Sequence, residues 1–193
     1  MGKTRCHDSE SSSESSSDDS KCSDRHTKRP IVKKFYKTVN NTTGTINNNT
    51  LIAFADFFGL MPGDNSATIA AGTGVSFPQD GPTNGIITRL SVNTFNLKNV
   101  GVYEVQFQVS VTEAGQLVVA LDDGTGFLEV PNSVAGRATG TSQIVGISLL
   151  QTLVANTKLA VFNPVGNTPA LTVTPYAGGA HPVSCHLVIK QIA

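Results

Sequence analysis

No stretch of the chain approaches the roughly 18 consecutive apolar residues of a membrane-spanning helix, so no span is expected. The opening residues, MGKTRCHD, lack the apolar centre of a secretory leader. Cys6 also stands where the myristoylation pattern needs Ser or Thr, so nothing here directs the chain through or onto a membrane. Cysteine is scarce and odd in number: Cys6, Cys22 and Cys185 cannot staple a disulfide framework. Cys185, inside the last apolar segment, reads as a small buried side chain. Tryptophan is absent and aromatics make up 6% of residues, while Gly, Thr, Val and Asn are plentiful, a balance that suits short strands and turns rather than helices. Charge is also missing where nucleic acid would need it. Beyond residue 37 only five Lys and Arg face eight Asp and Glu, so the body of the chain is no polyanion-binding surface.

The charge that exists is concentrated at the start. Residues 1–37 hold nine of the 14 Lys and Arg and six of the 14 Asp and Glu. Within them DSESSSESSSDDSKCSD is an acidic serine run with almost nothing to bury, and is expected to be disordered. Its serines ahead of acids are candidate phosphate acceptors. RHTKRPIVKKFYK then turns basic. Lys33 and Lys34 beside Phe35 and Tyr36 suit a docking arm that holds the chain to another protein, with Cys6 and Cys22 as candidate crosslinks. A nucleic-acid patch ranks lower, because the acidic block cancels much of its field. Cys6, His7, Cys22 and His26 match no zinc module, so no metal is expected. Residues 38–50 form an Asn/Thr-rich linker in which Asn40, Asn41 and Asn48 open N-x-T triplets.

From residue 51 to 193 the pattern is that of one β domain. In GVYEVQFQVSVTE, Tyr103, Val105, Phe107, Val109 and Val111 alternate with polar residues, the signature of a strand with one buried face. Further strands are expected over Ile86–Leu97, Gln116–Leu121, Lys158–Phe162, Ala170–Thr174 and Val183–Ile192. Separators such as LMPGDN, FPQDGPTNG, LDDGTG and NPVGNTP read as turns. QIVGISLLQTLVAN fits a helix almost as well, since Ile147, Leu150, Leu153 and Val154 share a helical face, but its surroundings favour a strand. The fold class is therefore all-β, an antiparallel jelly-roll sandwich preceded by a disordered N-terminal tail.

Catalytic ingredients are few. Cys185 and His186 are adjacent in a strand and point to opposite faces, His181 lies in a turn, and no nucleophile elbow, phosphate loop or zinc spacing occurs. Asp122, Asp123 and Glu129 lack the ordered ligand spacing of a calcium loop. No enzyme activity and no cofactor are expected.

Five blocks in order, FADFFGLMPGDNSATIAAGTGVSFPQDGPTNG, NTFNL, GVYEVQFQVSVTEAGQLV, VAGRATGTSQIVG and ALTVTPYAGGAHPVSCHLVIKQIA, resemble the C-terminal domain of the BclA-type collagen-like glycoproteins of spore surfaces. The resemblance spans nearly all of the body. It implies a homotrimeric jelly-roll head similar to those of complement and tumour necrosis factor, located on an external particle, a spore exosporium or alternatively a virion of a large virus. The family's collagen stalk and proline-rich leader have no counterpart in this chain. A trimer needs strands with apolar or neutral groups on both faces. LIAFADFF and VSCHLVIKQI meet that need, which makes Phe54, Phe57, Phe58, His186, Leu187, Val188 and Ile189 candidates for trimer interface or core. The expected function is a non-enzymatic structural head held to its particle through the tail. The rival is a recognition module that binds a glycan or receptor.

Overall fold

The computed structural model describes residues 51–61, 63–65, 68–139, 142–168, 170–174 and 180–193. All of these lie in one of the two units into which the chain divides, Asn48–Ala193. Cys6, Cys22, Lys33, Lys34, Phe35, Tyr36 and the linker fall outside the described residues.

In chain order the strands are β1 Ala53–Leu60, β2 Thr68–Ile69, β3 Gln79–Thr83, β4 Ile87–Ser91, β5 Thr94–Leu97, β6 Gly101–Val111 and β7 Gly115–Asp122. There follow β8 Leu128–Glu129, a 3-10 turn at Pro131–Ser133, β9 Ala135–Arg137, β10 Ser142–Thr152, β11 Thr157–Phe162, β12 Leu171–Thr172 and β13 Val183–Gln191. One sheet runs β10-β6-β13-β1-β3 and a second runs β4-β5-β11-β7-β8, with β9 on the first residues of β7 and β2 with β12 as a small pair. Every pairing is antiparallel. The all-β jelly-roll expectation therefore holds.

Period-two alternation builds the core. Tyr103, Val105, Phe107 and Val109 of β6 point inward beside Cys185, Leu187 and Ile189 of β13 and Ala53, Ala55 and Phe57 of β1. The second sheet answers with Phe95, Leu97, Leu117, Val119, Leu159 and Val161. Phe57 and Phe95 link the two sheets, with ring centroids 4.4 Å apart, and Phe77 meets Phe95 edge-on at 6.2 Å. Burying each such side chain contributes about 1.5–3 kcal/mol, so these inward columns are the main stabilising term.

Two segments differ from the sequence expectation. Ile86–Leu97 is a hairpin rather than one strand: Val92 and Asn93 turn the chain between β4 and β5, and the Ser91 hydroxyl donates to the Asn93 side chain at 2.9 Å. The stretch FPQDGPTNG, expected as turn alone, contributes β3. Its Pro82 is tolerated because β3 is an edge strand that pairs, among the described residues, only with β1, where a missing N–H costs no ladder bond. QIVGISLLQT is a strand, β10, and Leu153 and Val154 lie in the turn that follows it.

Candidate functional site: the outer face of the five-stranded sheet

The inner residues of β10, β6, β13 and β1 make the core, which leaves their alternate residues on one outward array. Its registers are continuous across four strands. Val145 lies opposite Gln108, which faces His186, which faces Phe58. The next row is Ile147, Gln106, Val188 and Asp56, and the third is Leu149, Glu104, Lys190 and Phe54.

The β10 column of this array is apolar and open. Val145, Ile147 and Leu149 are 50%, 67% and 57% exposed, and among the described residues β10 pairs on one side only, with β6. The inward side of the same strand is the less apolar one, holding Ile144, Gly146, Ser148 and Leu150. Gly146 is required there. A Cβ at that position would lie 2.3 Å from Cζ of Phe107, whose ring fills the space beneath the strand. β10 is thus an edge strand that turns its larger hydrophobic residues to the outside.

Across β6, β13 and β1 the charged groups are paired within the protomer. Lys190 Nζ lies 2.8 Å from Glu104 Oε1, and His186 Nδ1 lies 3.2 Å from Asp56 Oδ1. The Phe58 ring stacks on His186 with centroids 5.7 Å apart. Gln106 and Gln108 are neutral. Apart from the Asp56 carboxylate beside His186, the face offers apolar, neutral or ion-paired surface, the kind that burial against another protein surface favours.

The structure divides the candidates named from sequence into two sets. Phe57, Leu187 and Ile189 belong to the buried core. Phe54, Phe58, His186 and Val188 are half-buried on the outer face. LIAFADFF is not equally apolar on both sides, for β1 alternates buried Ala53, Ala55 and Phe57 with half-exposed Phe54, Asp56 and Phe58. Sequence reasoning missed Val145, Ile147 and Leu149 as outward residues. The signal was present in SQIVGISLLQ, where the Val-Ile-Leu parity is bulkier than the Ile-Gly-Ser-Leu parity.

Cys185, Asp122 and Glu129 are occupied within the protomer, while His181 is exposed in the segment before β13. Burial pushes the Cys185 thiol up to about 12, against a lowering hydrogen bond from the Gly59 backbone and reinforced by the nearby Asp64 charge. Its Sγ rests 3.5 Å from the Ser76 carbonyl. Such a thiol is no nucleophile at neutral pH. Asp122 accepts from Lys158 Nζ at 2.9 Å and from the Gly126 and Gly124 amides at 2.9 and 2.8 Å, which holds its carboxyl down at about 2. Glu129 Oε1 accepts from the Val165 amide at 2.8 Å. Asp122 and Glu129 fix their turns through these bonds, and no cluster of three or more His, Cys, Asp or Glu able to hold a metal occurs among the described residues. No helix there is long and apolar enough to cross a membrane.

Two packed antiparallel sheets with this strand order define an all-β jelly-roll sandwich. Solved structures with a similar fold include Eiger TNF from S. frugiperda, at a TM-score of 0.53 and 15% identity, covering 75% of this chain and 94% of that one. Murine APRIL at pH 5.0 is similar at a TM-score of 0.51 and 13% identity, covering 72% and 98%. The globular domain of zebrafish complement 1qA matches at 0.48 and 13%, covering 72% and 93%. At these identities the likeness is one of fold. No protein-family model and no curated protein sequence matches the chain.

Proposed function

We propose that this chain is a non-enzymatic structural head, a homotrimer that decorates or caps an external particle and is held there through residues 1–37. The observation that carries the trimer is the outward column Val145, Ile147 and Leu149 on the open edge of β10. Long, exposed, apolar edge strands are aggregation sites unless something covers them, and the charge-paired face beside this one suits a second copy of the same sheet. Closing a threefold ring buries the column in three equivalent contacts. A spore exosporium is the favoured particle, on the resemblance of the five sequence blocks to spore-surface heads, with a virion as the alternative. The pairing of Lys190 with Glu104 and of His186 with Asp56 on an open sheet face supports a structural role over a catalytic one.

Sedimentation equilibrium of the full chain at micromolar concentration tests the assembly, where a monomer overturns it. Immunogold microscopy of the native host tests the location, where label confined to the cell interior away from any particle overturns it.

A further inference from the structure

The strand ends define two poles of the sandwich, and the pole where the described chain begins is unusually apolar. β1 starts there at Ala53, β13 ends there at Gln191, and β6 and β10 meet there through the Gly101–Thr152 register. Of 15 large hydrophobic residues exposed on the described surface, seven lie at this pole. Ile52 is fixed by the Asn84 side-chain amide, which donates to its carbonyl at 3.2 Å. Ile192 is fixed by its amide, which donates to the Val102 carbonyl at 2.9 Å, and Val100 is two residues away from that partner. Leu153 and Val154, in the turn after β10, and Leu128, opposite Leu121 in β8, wall a groove of about 320 Å³. Leu153 and Leu128 are among the most exposed hydrophobic residues, at 79% and 69%. Asp123 and Glu129 border the groove.

The backbone of this pole is held by specific hydrogen bonds, so its apolar groups are presented on a fixed frame. Fifty residues of the chain precede Leu51, and any anchor acting through them pulls on the sandwich at this pole. A head anchored through them is tethered from this end. We propose that the pole is a docking surface for a protein of the carrying particle, one that projects an apolar side chain into the Leu128–Leu153–Val154 groove with a Lys or Arg set against Asp123 and Glu129. This rests on the particle-surface reading above. The contact is a second attachment, distinct in chemistry from a charged tail: burial of apolar surface survives salt, whereas exposed charge pairs are screened within about 3 Å at about 1 M salt.

The test uses full-length protein rebound to native particles stripped of it. The wild-type chain is expected to stay bound through a wash at about 1 M salt and to release in mild non-ionic detergent. A Leu128→Asp/Leu153→Asp double variant removes two exposed apolar groups from the groove wall. It is expected to remain folded and trimeric by circular dichroism and sedimentation, with apparent affinity for the particles reduced about 100-fold, roughly tenfold for each side chain. Wild-type retention of the double variant overturns the docking surface and leaves the particle-surface reading standing. Loss of the trimer in the double variant also overturns it, and assigns the pole to the contact between copies. Binding of the wild-type chain to neutral lipid vesicles in place of particle protein overturns it as well. Failure of the wild-type chain to bind any native particle overturns the particle-surface reading itself.

Discussion

Replacing Ile147 with Asp separates the fold of the protomer from its assembly. Ile147 is 67% exposed and lies opposite Gln106 on the outer face, so the substitution touches no core contact and leaves protomer stability within about 0.5 kcal/mol. Covering the exposed two-thirds of an isoleucine contributes about 1–2 kcal/mol. A trimer loses that term three times, about 3–6 kcal/mol, before the further cost of placing a carboxylate against apolar surface. At 1.4 kcal/mol per factor of ten, the trimer dissociation constant rises by about 10²–10⁴-fold. Sedimentation equilibrium across a micromolar dilution series reads the shift, and a thermal melt of the dissociated variant confirms that the sandwich survives. An Ile147→Asp protein that sediments as the wild-type trimer at every concentration refutes the assignment of this column to the interface.

Other substitutions probe the rest of the molecule. Gly146→Ala sets a methyl group against the Phe107 ring and is expected to destabilise the fold by about 1–3 kcal/mol, read as a lower Tm. Leu187→Asp places a charge in a fully buried site and is expected to abolish folding, read by loss of the strand signal in circular dichroism. The Asp122 carboxyl, held at about 2 against an ordinary 3.8, stabilises the protein above pH 3.8, a contribution lost as pH falls from there towards 2. Wild-type Tm should therefore exceed that of Asp122→Asn at neutral pH, with the gap closing over that acid window. Deleting residues 1–37, which hold few apolar groups, should leave Tm unchanged; a drop of many degrees assigns them a structural part.

The fold was legible wherever one face of a strand is wet. β6, with five inward apolar residues separated by Glu, Gln and Ser, declares itself, as does β13 through Cys185, Leu187 and Ile189. Legibility failed where composition and context disagree. β3 contains Asp, Gly and Pro, all poor strand formers, and is a strand only because β1 supplies the partner that an edge position needs. Ile86–Leu97 hides its turn because Val92 is apolar, although Asn93 marks it. The outer face was half-legible for a related reason. Phe58, His186 and Val188 stand out in the sequence because β1 and β13 carry large residues on both parities, but β10 masks its outward column behind an inward side that needs a glycine to admit the Phe107 ring. That requirement belongs to a residue 39 positions earlier in the chain and opposite in register, and no local pattern reports it.

The one-sided pairing of β10 bears on how such a protein is made and handled. An 11-residue strand that pairs on one side only among the described residues is a template that any extended segment can join, so for the proposed trimer the hazardous interval is the one between completion of the protomer and its meeting with others. That interval shortens as the local concentration of newly made chains rises, because encounter is a mass-action event. Dilution is thus a stress on this protein in its own right. Under the trimer proposed above, synthesis in a concentrated burst and purification without a dilute stage are the conditions under which the edge is sealed by its own kind before a foreign strand reaches it.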